Sequence, residues 1–213
     1  MIVWVASRLM SAPAPPAPAN VAGNTYDKYA STNPLERKMM AGFFRALDHM
    51  LDGMTPATIV EVGAGEGRIT GRLAERFPEA TVIGLDLQDD ALLDEWLNLG
   101  VPMFFGDATQ LPFADRSIDL IIGLEVLEHI PQPERALAEI ARVGKAAVMS
   151  VPNEPIWRVG NVARRRYISD WGNTPGHINH WSTRSFRQFV SQRFDITKSA
   201  SPLPWTMVSA TPR

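Results

Sequence analysis

From residue 58 onward, short apolar segments alternate with amphipathic segments, and this alternation limits the fold more than any other feature of the chain. Continuous apolar strands between helices indicate a parallel sheet that is buried on both faces. We predict strands at 58–62, 81–85, 101–105, 118–122 and 146–151, and helices at 67–76, 89–97 and 134–143. Two later segments, 194–199 and 206–210, are predicted to pair as a terminal antiparallel hairpin. The prediction is therefore an α/β fold with a doubly wound, mostly parallel sheet of seven strands.

The residues before this alternation have a different composition. The segment SAPAPPAPAN at 11–20 is rich in proline and alanine, which favours extended and poorly ordered chain. We predict a disordered tail at 1–24 and a single domain at 25–213. Within the domain, residues 34–54 have helical periodicity that begins at a proline.

The composition excludes several kinds of function. The chain has no cysteine, which excludes disulfides, thiolate catalysis and thiolate zinc sites. A net charge of −2 provides no broad cationic field for nucleic acid. No apolar run approaches the roughly 20 residues of a membrane span. We therefore expect a cytoplasmic protein that does not bind nucleic acid and has no transmembrane segment.

A glycine-rich loop follows the first predicted strand, in the segment IVEVGAGEGRIT at 59–70. Its glycines allow a sharp turn and let a ligand lie against the backbone, although a tight turn without a ligand has the same pattern. Acidic residues end the following strands: Asp86, Asp107 and Glu125. All are predicted at the carboxyl edge of the sheet, where open α/β sheets bind ligands.

The charge around this loop favours a cationic ligand. Glu61 directly precedes the loop, where a carboxylate would attract a sulfonium group and repel a pyrophosphate. The dinucleotide fingerprint also has glycine or alanine where this chain has Arg68. A dinucleotide site is nevertheless the natural alternative.

Four motifs, EVGAGEG, GLDL, GDATQLPF and LEVLEHI–ARVGKAAVMSVPN, occur in this order. Together they resemble the motifs of class I S-adenosylmethionine-dependent methyltransferases, and they are closest to the ubiquinone-pathway O-methyltransferases and small-molecule methyltransferases. The resemblance covers about residues 55–200 and implies a Rossmann-like fold with S-adenosylmethionine as cofactor. The resemblance implies that Asp86 contacts the ribose and that Glu125 lies beside the cofactor at the end of the fourth strand. The residues implied to contact the methionine moiety are Glu61, Gly63, Ala64 and Gly65. Those implied to contact the adenine are Leu87, Asp107 and Ala108.

A cluster of acidic and histidine residues follows the fourth strand. Glu125, Glu128 and His129 are spaced i, i+3 and i+4, so they would share one face of a helix and could hold Mg²⁺ or Mn²⁺. The arrangement is similar to the metal site of small-RNA 2′-O-methyltransferases, in which a later histidine takes part, and His177 and His180 are the candidates here. The alternative is a metal-free role, in which His129, His177 or His180 removes a proton from the acceptor.

Residues 153–181 exceed an ordinary connection between a strand and a helix, and we predict that they form a lid over the acceptor. Tryptophan, tyrosine and arginine residues are interleaved there, which suits an apolar or an anionic small molecule. A lid that packs only on its own core is the alternative, as is peripheral contact with an anionic membrane surface.

These features predict an enzyme that transfers a methyl group from S-adenosylmethionine to a small-molecule acceptor, with a hydroxyl oxygen as the favoured target. One alternative is a nucleotide-dependent oxidoreductase. The other is a regulatory protein that binds S-adenosylmethionine without catalysis. The acceptor itself is not predicted, because this fold serves oxygen, nitrogen and carbon acceptors.

Overall fold

The computed structural model describes residues 33–154, 156–158, 174 and 176–213. The tail predicted at 1–24 lies outside the described residues. Most of the lid predicted at 153–181, including its tyrosine and three of its arginines, also lies outside them, so only the two ends of that segment are part of the description.

Helix α1 (Pro34–Leu51) begins where the sequence predicts. Asn33 caps it by accepting a hydrogen bond from a first-turn backbone N–H at 2.9 Å. Proline in that first turn costs no hydrogen bond within the helix, because a backbone N–H at this position would have no acceptor in the helix. The helix ends before the predicted residue 54, because Asp52 leaves the helical conformation and Gly53 has a φ of 81°.

Seven strands form one sheet in the order β3-β2-β1-β4-β5-β7-β6. They are β1 (Thr58–Val62), β2 (Thr81–Asp86), β3 (Met103–Phe105), β4 (Leu120–Leu124), β5 (Ala147–Pro152), β6 (Phe194–Ala200) and β7 (Trp205–Pro212). Strands β1 to β5 pair in parallel, whereas β7 pairs antiparallel with both β5 and β6. The predicted mostly parallel sheet with a terminal antiparallel hairpin is confirmed.

Further helices and a short 3-10 helix connect the strands in the described part of the chain. They are α2 (Arg68–Arg76), α3 (Leu92–Trp96), α4 (Pro133–Val143), α5 (Thr183–Val190) and the 3-10 helix Leu127–His129 directly after β4. Among the described residues, no helix combines the length and the apolar character needed to cross a membrane.

Strands β3 and β4 start two residues later than predicted, for tertiary reasons. Strand β4 starts two residues late, because Asp119 Oδ2 accepts 3.0 Å hydrogen bonds from two backbone N–H groups at the start of β1. It also ends later than predicted, because Gly123 and Leu124 pair with β5. Strand β3 is shorter than predicted, since Pro102 has no N–H to donate and Gly100 turns with a φ of 68°.

The strands bury side chains on both faces of the sheet. Val60 and Val62 pack with α4 and α5, whereas the alternate residue Ile59 packs with α1 and α2. Because side chains alternate along a strand, Glu61 lies on the same face as Ile59, towards α2. This placement puts a carboxyl group inside an apolar layer next to the glycine-rich loop.

Candidate cofactor and acceptor site

The strand order reverses between β1 and β4, since the chain runs from β1 outward to β2 and β3 and then returns to β4 on the other side. Loops that leave neighbouring strands in opposite directions open a crevice at the carboxyl edge, which is where α/β sheets bind ligands. The residues predicted to contact the cofactor lie at or just beyond the ends of β1, β2, β3 and β4. The fold therefore brings them to one edge of the sheet.

The glycine-rich loop turns sharply after β1 and is held by β2. The backbone N–H groups of Gly63 and Ala64 both donate to the Leu85 carbonyl, at 2.8 and 3.0 Å. Gly63 has a φ of 73°, and a Cβ there would lie 2.3 Å from a methyl carbon of Val126, so a side chain is excluded. Gly65 also has a positive φ, but open space lies above it. A ligand can therefore approach the backbone at Gly65.

The peptide of Gly65 is held from both sides. Its N–H donates to Asp86 Oδ2 at 2.5 Å, and its carbonyl accepts from the indole Nε1 of Trp96 at 2.8 Å. Asp86 Oδ1 also accepts from Leu87 N at 2.7 Å. Burial raises the pKa of the Asp86 carboxyl, and the two N–H donors oppose that rise. The loop is thus fixed against the end of β2 before any ligand binds.

Glu61 is a buried acid beneath the loop, with 3 % of its surface exposed. Its Oε2 accepts a short hydrogen bond from the Thr70 hydroxyl on α2. Burial raises the pKa of Glu61 from 4.5 to about 8, and the negative charge of Asp86 contributes to that rise. A cation placed against the loop would favour the ionised form of this carboxyl.

The residues expected around the adenine follow β2 and β3, whose ends are joined by the Gly106 N–H donating to the Asp86 carbonyl at 2.7 Å. Leu87 is 49 % exposed, whereas Ala108 is buried. Asp107 Oδ1 accepts hydrogen bonds from the backbone N–H and the hydroxyl of Thr109, at 2.7 and 2.8 Å, so this oxygen stabilises its own turn. The exposed Leu87 offers an apolar surface on which a planar ring can lie.

Glu125 occupies a strained position directly after β4, with a φ of 60° that side chains rarely adopt. Its Oε1 accepts from the Ser150 hydroxyl at 3.0 Å and its Oε2 from the indole of Trp205 at 2.5 Å. The predicted helix face shared by Glu125, Glu128 and His129 is wrong, because only Glu128 and His129 belong to the 3-10 helix. Glu125 instead joins β4 to β5 and β7.

Glu128, His129 and His177 meet at this edge of the sheet. One ligand atom from each lies within 4.8 Å of the others, and Glu128 is buried. The rings of His129 and His177 are in edge contact, with centroids 4.9 Å apart. Among the described residues this is the group with the spacing of a metal site, and the predicted ligand Glu125 is not part of it.

Both histidines are oriented by oxygen acceptors. Nδ1 of His129 lies 2.9 Å from the Gly176 carbonyl, and Nδ1 of His177 lies 2.8 Å from Glu154 Oε1. A carbonyl and a carboxylate can only accept, so each Nδ1 carries the proton. In the neutral rings, the lone pair is then on Nε2, which is the atom that binds a proton or a cation. The third candidate, His180, lies apart, with its Nδ1 3.5 Å from the same Glu154 oxygen.

Residues 60–148 match the family model described as a methyltransferase domain. The matched stretch runs from β1 into β5 and includes the glycine-rich loop, Asp86 and Asp107. The chain is also similar to a malonyl-[acyl-carrier protein] O-methyltransferase from Geobacter sulfurreducens, with 33% identity over 122 residues that cover 55% of this chain and 44% of the relative. A ubiquinone/menaquinone biosynthesis C-methyltransferase from Dinoroseobacter shibae is 34% identical over 134 residues, which cover 56% of this chain and 51% of that protein. The chain spans about half the length of these curated relatives.

The fold of the chain also occurs in a solved structure, the magnesium protoporphyrin IX methyltransferase of Synechocystis with bound SAH. The two share a TM-score of 0.61 and 17% identity over 86% of this chain and 90% of the other. At this identity the likeness concerns the fold.

Sequence reasoning missed several residues of the candidate site. Trp96 and Trp205 reach it from a helix and from a distant strand, and no local pattern marks them. Thr70 lies within the glycine motif, but its bond to Glu61 depends on the packing of α2. Glu154 follows β5 at the carboxyl edge, so the rule that selected Asp86 and Asp107 could have found it.

Proposed function

We propose that the domain binds S-adenosylmethionine at the carboxyl edge of the sheet and transfers its methyl group to a small-molecule hydroxyl. The observation that carries this proposal is the prearranged loop: Gly65 is held between Asp86 and Trp96, with open space on its ligand side. The proposed contacts are Glu61, Gly63, Ala64 and Gly65 with the methionine part, Asp86 with the ribose, and Leu87, Asp107 and Ala108 with the adenine.

The charges support a sulfonium cofactor over a dinucleotide. Glu61 and Asp86 place two carboxyl groups beside the loop, and Asp86 already raises the pKa of Glu61. A pyrophosphate would repel the Asp86 carboxylate and keep Glu61 protonated, whereas the sulfonium and ammonium groups of S-adenosylmethionine would favour the ionised form of both acids. The oxidoreductase alternative is therefore disfavoured on electrostatic grounds.

The cofactor, when bound, supplies a methyl group on a sulfonium sulfur, which becomes a neutral thioether as the acceptor oxygen takes the methyl. The protein then has to hold the acceptor in line and accept its proton. His129 and His177 are suited to the second task, because each keeps its Nε2 lone pair through a hydrogen bond at Nδ1. A hydroxyl acceptor fits this arrangement, because it must lose its proton when its oxygen takes the methyl group and a histidine Nε2 can accept that proton.

The same group is chemically suited to a divalent cation. Glu128, His129 and His177 offer one carboxylate and two imidazoles, a mixed donor set that fits Mn²⁺ or Zn²⁺ better than Mg²⁺, which prefers oxygen ligands. We propose that these three residues, without Glu125, would hold the cation. A cation there would lower the pKa of the acceptor hydroxyl.

Titration calorimetry tests the cofactor. We expect heat of binding with S-adenosylmethionine and S-adenosylhomocysteine and none with NAD. Binding of NAD without a response to either sulfur ligand would favour the oxidoreductase. Binding of the sulfur ligands without any methyl transfer would favour the regulatory alternative.

Methyl transfer is tested with labelled cofactor against a metabolite extract, with and without EDTA. Acylated carrier protein is included, because the Geobacter relative is named for such a substrate. If a cation acts, EDTA and Glu128→Ala both abolish turnover while affinity for S-adenosylhomocysteine is retained. If the histidines act alone, EDTA has no effect, and His129→Ala or His177→Ala causes the main loss. Full activity of both histidine variants in EDTA would leave catalysis to positioning and contradict both versions.

A further inference from the structure

Glu154 is a buried carboxylate that contacts both ends of the segment predicted as a lid. Only 4 % of it is exposed, and its backbone N–H donates to the Trp181 carbonyl at 3.0 Å. Its Oε1 lies 2.8 Å from His177 Nδ1 and 3.5 Å from His180 Nδ1. Its Oε2 lies 4.0 Å from the guanidinium Nε of Arg158. A carboxylate this deeply buried requires compensating donors, and the shortest of these contacts is with His177.

The ring of His177 has little freedom to choose another orientation. Its side chain is 5 % exposed, the ring of Trp157 stacks on it at 6.1 Å and 29°, and the ring of His129 contacts it edge-on. Trp157 is in turn fixed by donating its indole N–H to the Thr174 hydroxyl at 2.7 Å. Within this packing, the hydrogen bond to Glu154 decides which ring nitrogen carries the proton.

We propose that Glu154 is the positioning residue of His177. In the neutral ring it holds the proton on Nδ1, which makes Nε2 the nitrogen that accepts a proton or a cation. Both versions of the chemistry need this lone pair, because a base accepts a proton there and a cation binds there. The consequence for catalysis rests on the proposed function, whereas the proton position in the ring is a property of the ligand-free protein.

Long-range ¹H–¹⁵N spectra of the ligand-free full chain test the proton position directly. The chain has four histidines, so His→Ala variants assign the ring signals. We expect an Nδ1–H tautomer for His177 in the wild type and in Glu154→Gln, which keeps a carbonyl acceptor. Glu154→Leu removes the acceptor and is expected to move the proton to Nε2. Glu139→Gln is the matched control, because it changes a glutamate that bonds Arg142 and the Leu111 backbone, and it should leave His177 unchanged.

Two results in these spectra would overturn the proposal. One is an unchanged Nδ1–H tautomer in a folded Glu154→Leu protein. The other is an Nε2–H tautomer in the wild type, which decides the matter even if the leucine variant does not fold.

Turnover supplies a second readout, with labelled cofactor and the metabolite extract. We expect Glu154→Leu to lower the rate about 10- to 100-fold while affinity for S-adenosylhomocysteine stays within twofold. Adding Glu154→Leu to His177→Ala should cause no further loss, because Glu154 acts through His177. Additive losses would contradict the positioning role. A wild type that neither binds S-adenosylhomocysteine nor transfers methyl would refute the proposed function, whereas the tautomer result would still decide the role of Glu154.

Discussion

Replacing Glu61 by glutamine should remove a large part of the pH dependence of stability in the ligand-free protein. Burial raises the pKa of Glu61 from 4.5 to about 8 in the folded state. Between these two values the folded protein retains a proton that the unfolded chain has lost. The stability contributed by the neutral carboxyl is therefore complete below pH 4.5 and is lost as the pH rises through about 8.

The size of the effect follows from the difference between the two pKa values. Each pH unit within this window corresponds to about 1.4 kcal/mol, so the whole window corresponds to about 5 kcal/mol of unfolding free energy. Between pH 6 and pH 8 the expected loss is about 2–3 kcal/mol. For a domain of this size, this loss lowers Tm by about 5–10 °C. Glutamine keeps an acceptor for the Thr70 hydroxyl but does not titrate, so the variant should lack this part of the slope.

Urea unfolding followed by tryptophan fluorescence, from about pH 5 to pH 8, measures this difference. Glu66→Gln is the matched control, because Glu66 lies in the same loop, is partly exposed and pairs with Arg68 at 3.3 Å. Its pH dependence should match that of the wild type. Parallel stability curves for the wild type and Glu61→Gln would refute the reasoning, because they would mean that Glu61 ionises equally in the folded and unfolded chains.

Three further predictions concern the loop and the tail. Asp86→Ala should weaken binding of S-adenosylhomocysteine by about 1–3 kcal/mol in titration calorimetry, because it removes the acceptor that fixes Gly65, whereas Asp90→Ala on the exposed side should have no effect. Trp96→Phe keeps an aromatic ring against Phe105 but loses the hydrogen bond to the Gly65 carbonyl. The unfolding free energy in urea should therefore fall by about 1 kcal/mol, and the affinity for S-adenosylhomocysteine should fall with it. Unchanged affinity would show that the indole does not hold the loop. Deleting residues 1–20 should leave Tm nearly unchanged in a thermal melt, because their proline–alanine composition offers little to bury, and a large fall would show that the tail packs on the domain.

Much of the sheet and the cofactor side of the site could be predicted because they depend on local signals. Apolar runs of strand length, such as Leu120–Leu124, can bury their side chains only inside a sheet that is covered on both faces. Gly63 directly follows β1 and Asp86 is the last residue of β2, and neighbouring parallel strands end at the same edge of the sheet. Their closeness was therefore implicit in the order of elements along the chain. The end of α1 was harder to predict from the sequence, because it depends on the backbone conformation of Asp52 and Gly53.

The part of the site proposed to hold the methyl acceptor depends on contacts between distant residues, which no periodicity in the sequence predicts. Trp205 bonds Glu125 across 80 residues only because β7 enters the sheet beside β5, and this placement also removes Glu125 from the group around His129. Glu154 reaches His177 across 23 residues only because Trp181 binds the backbone at the end of β5. The sequence by itself determined the order of strands and helices and which glycine, acidic and histidine residues stand near the strand ends. Only the tertiary structure decided which of those side chains meet, because strand order and side-chain packing are set by contacts between distant segments rather than by local pattern.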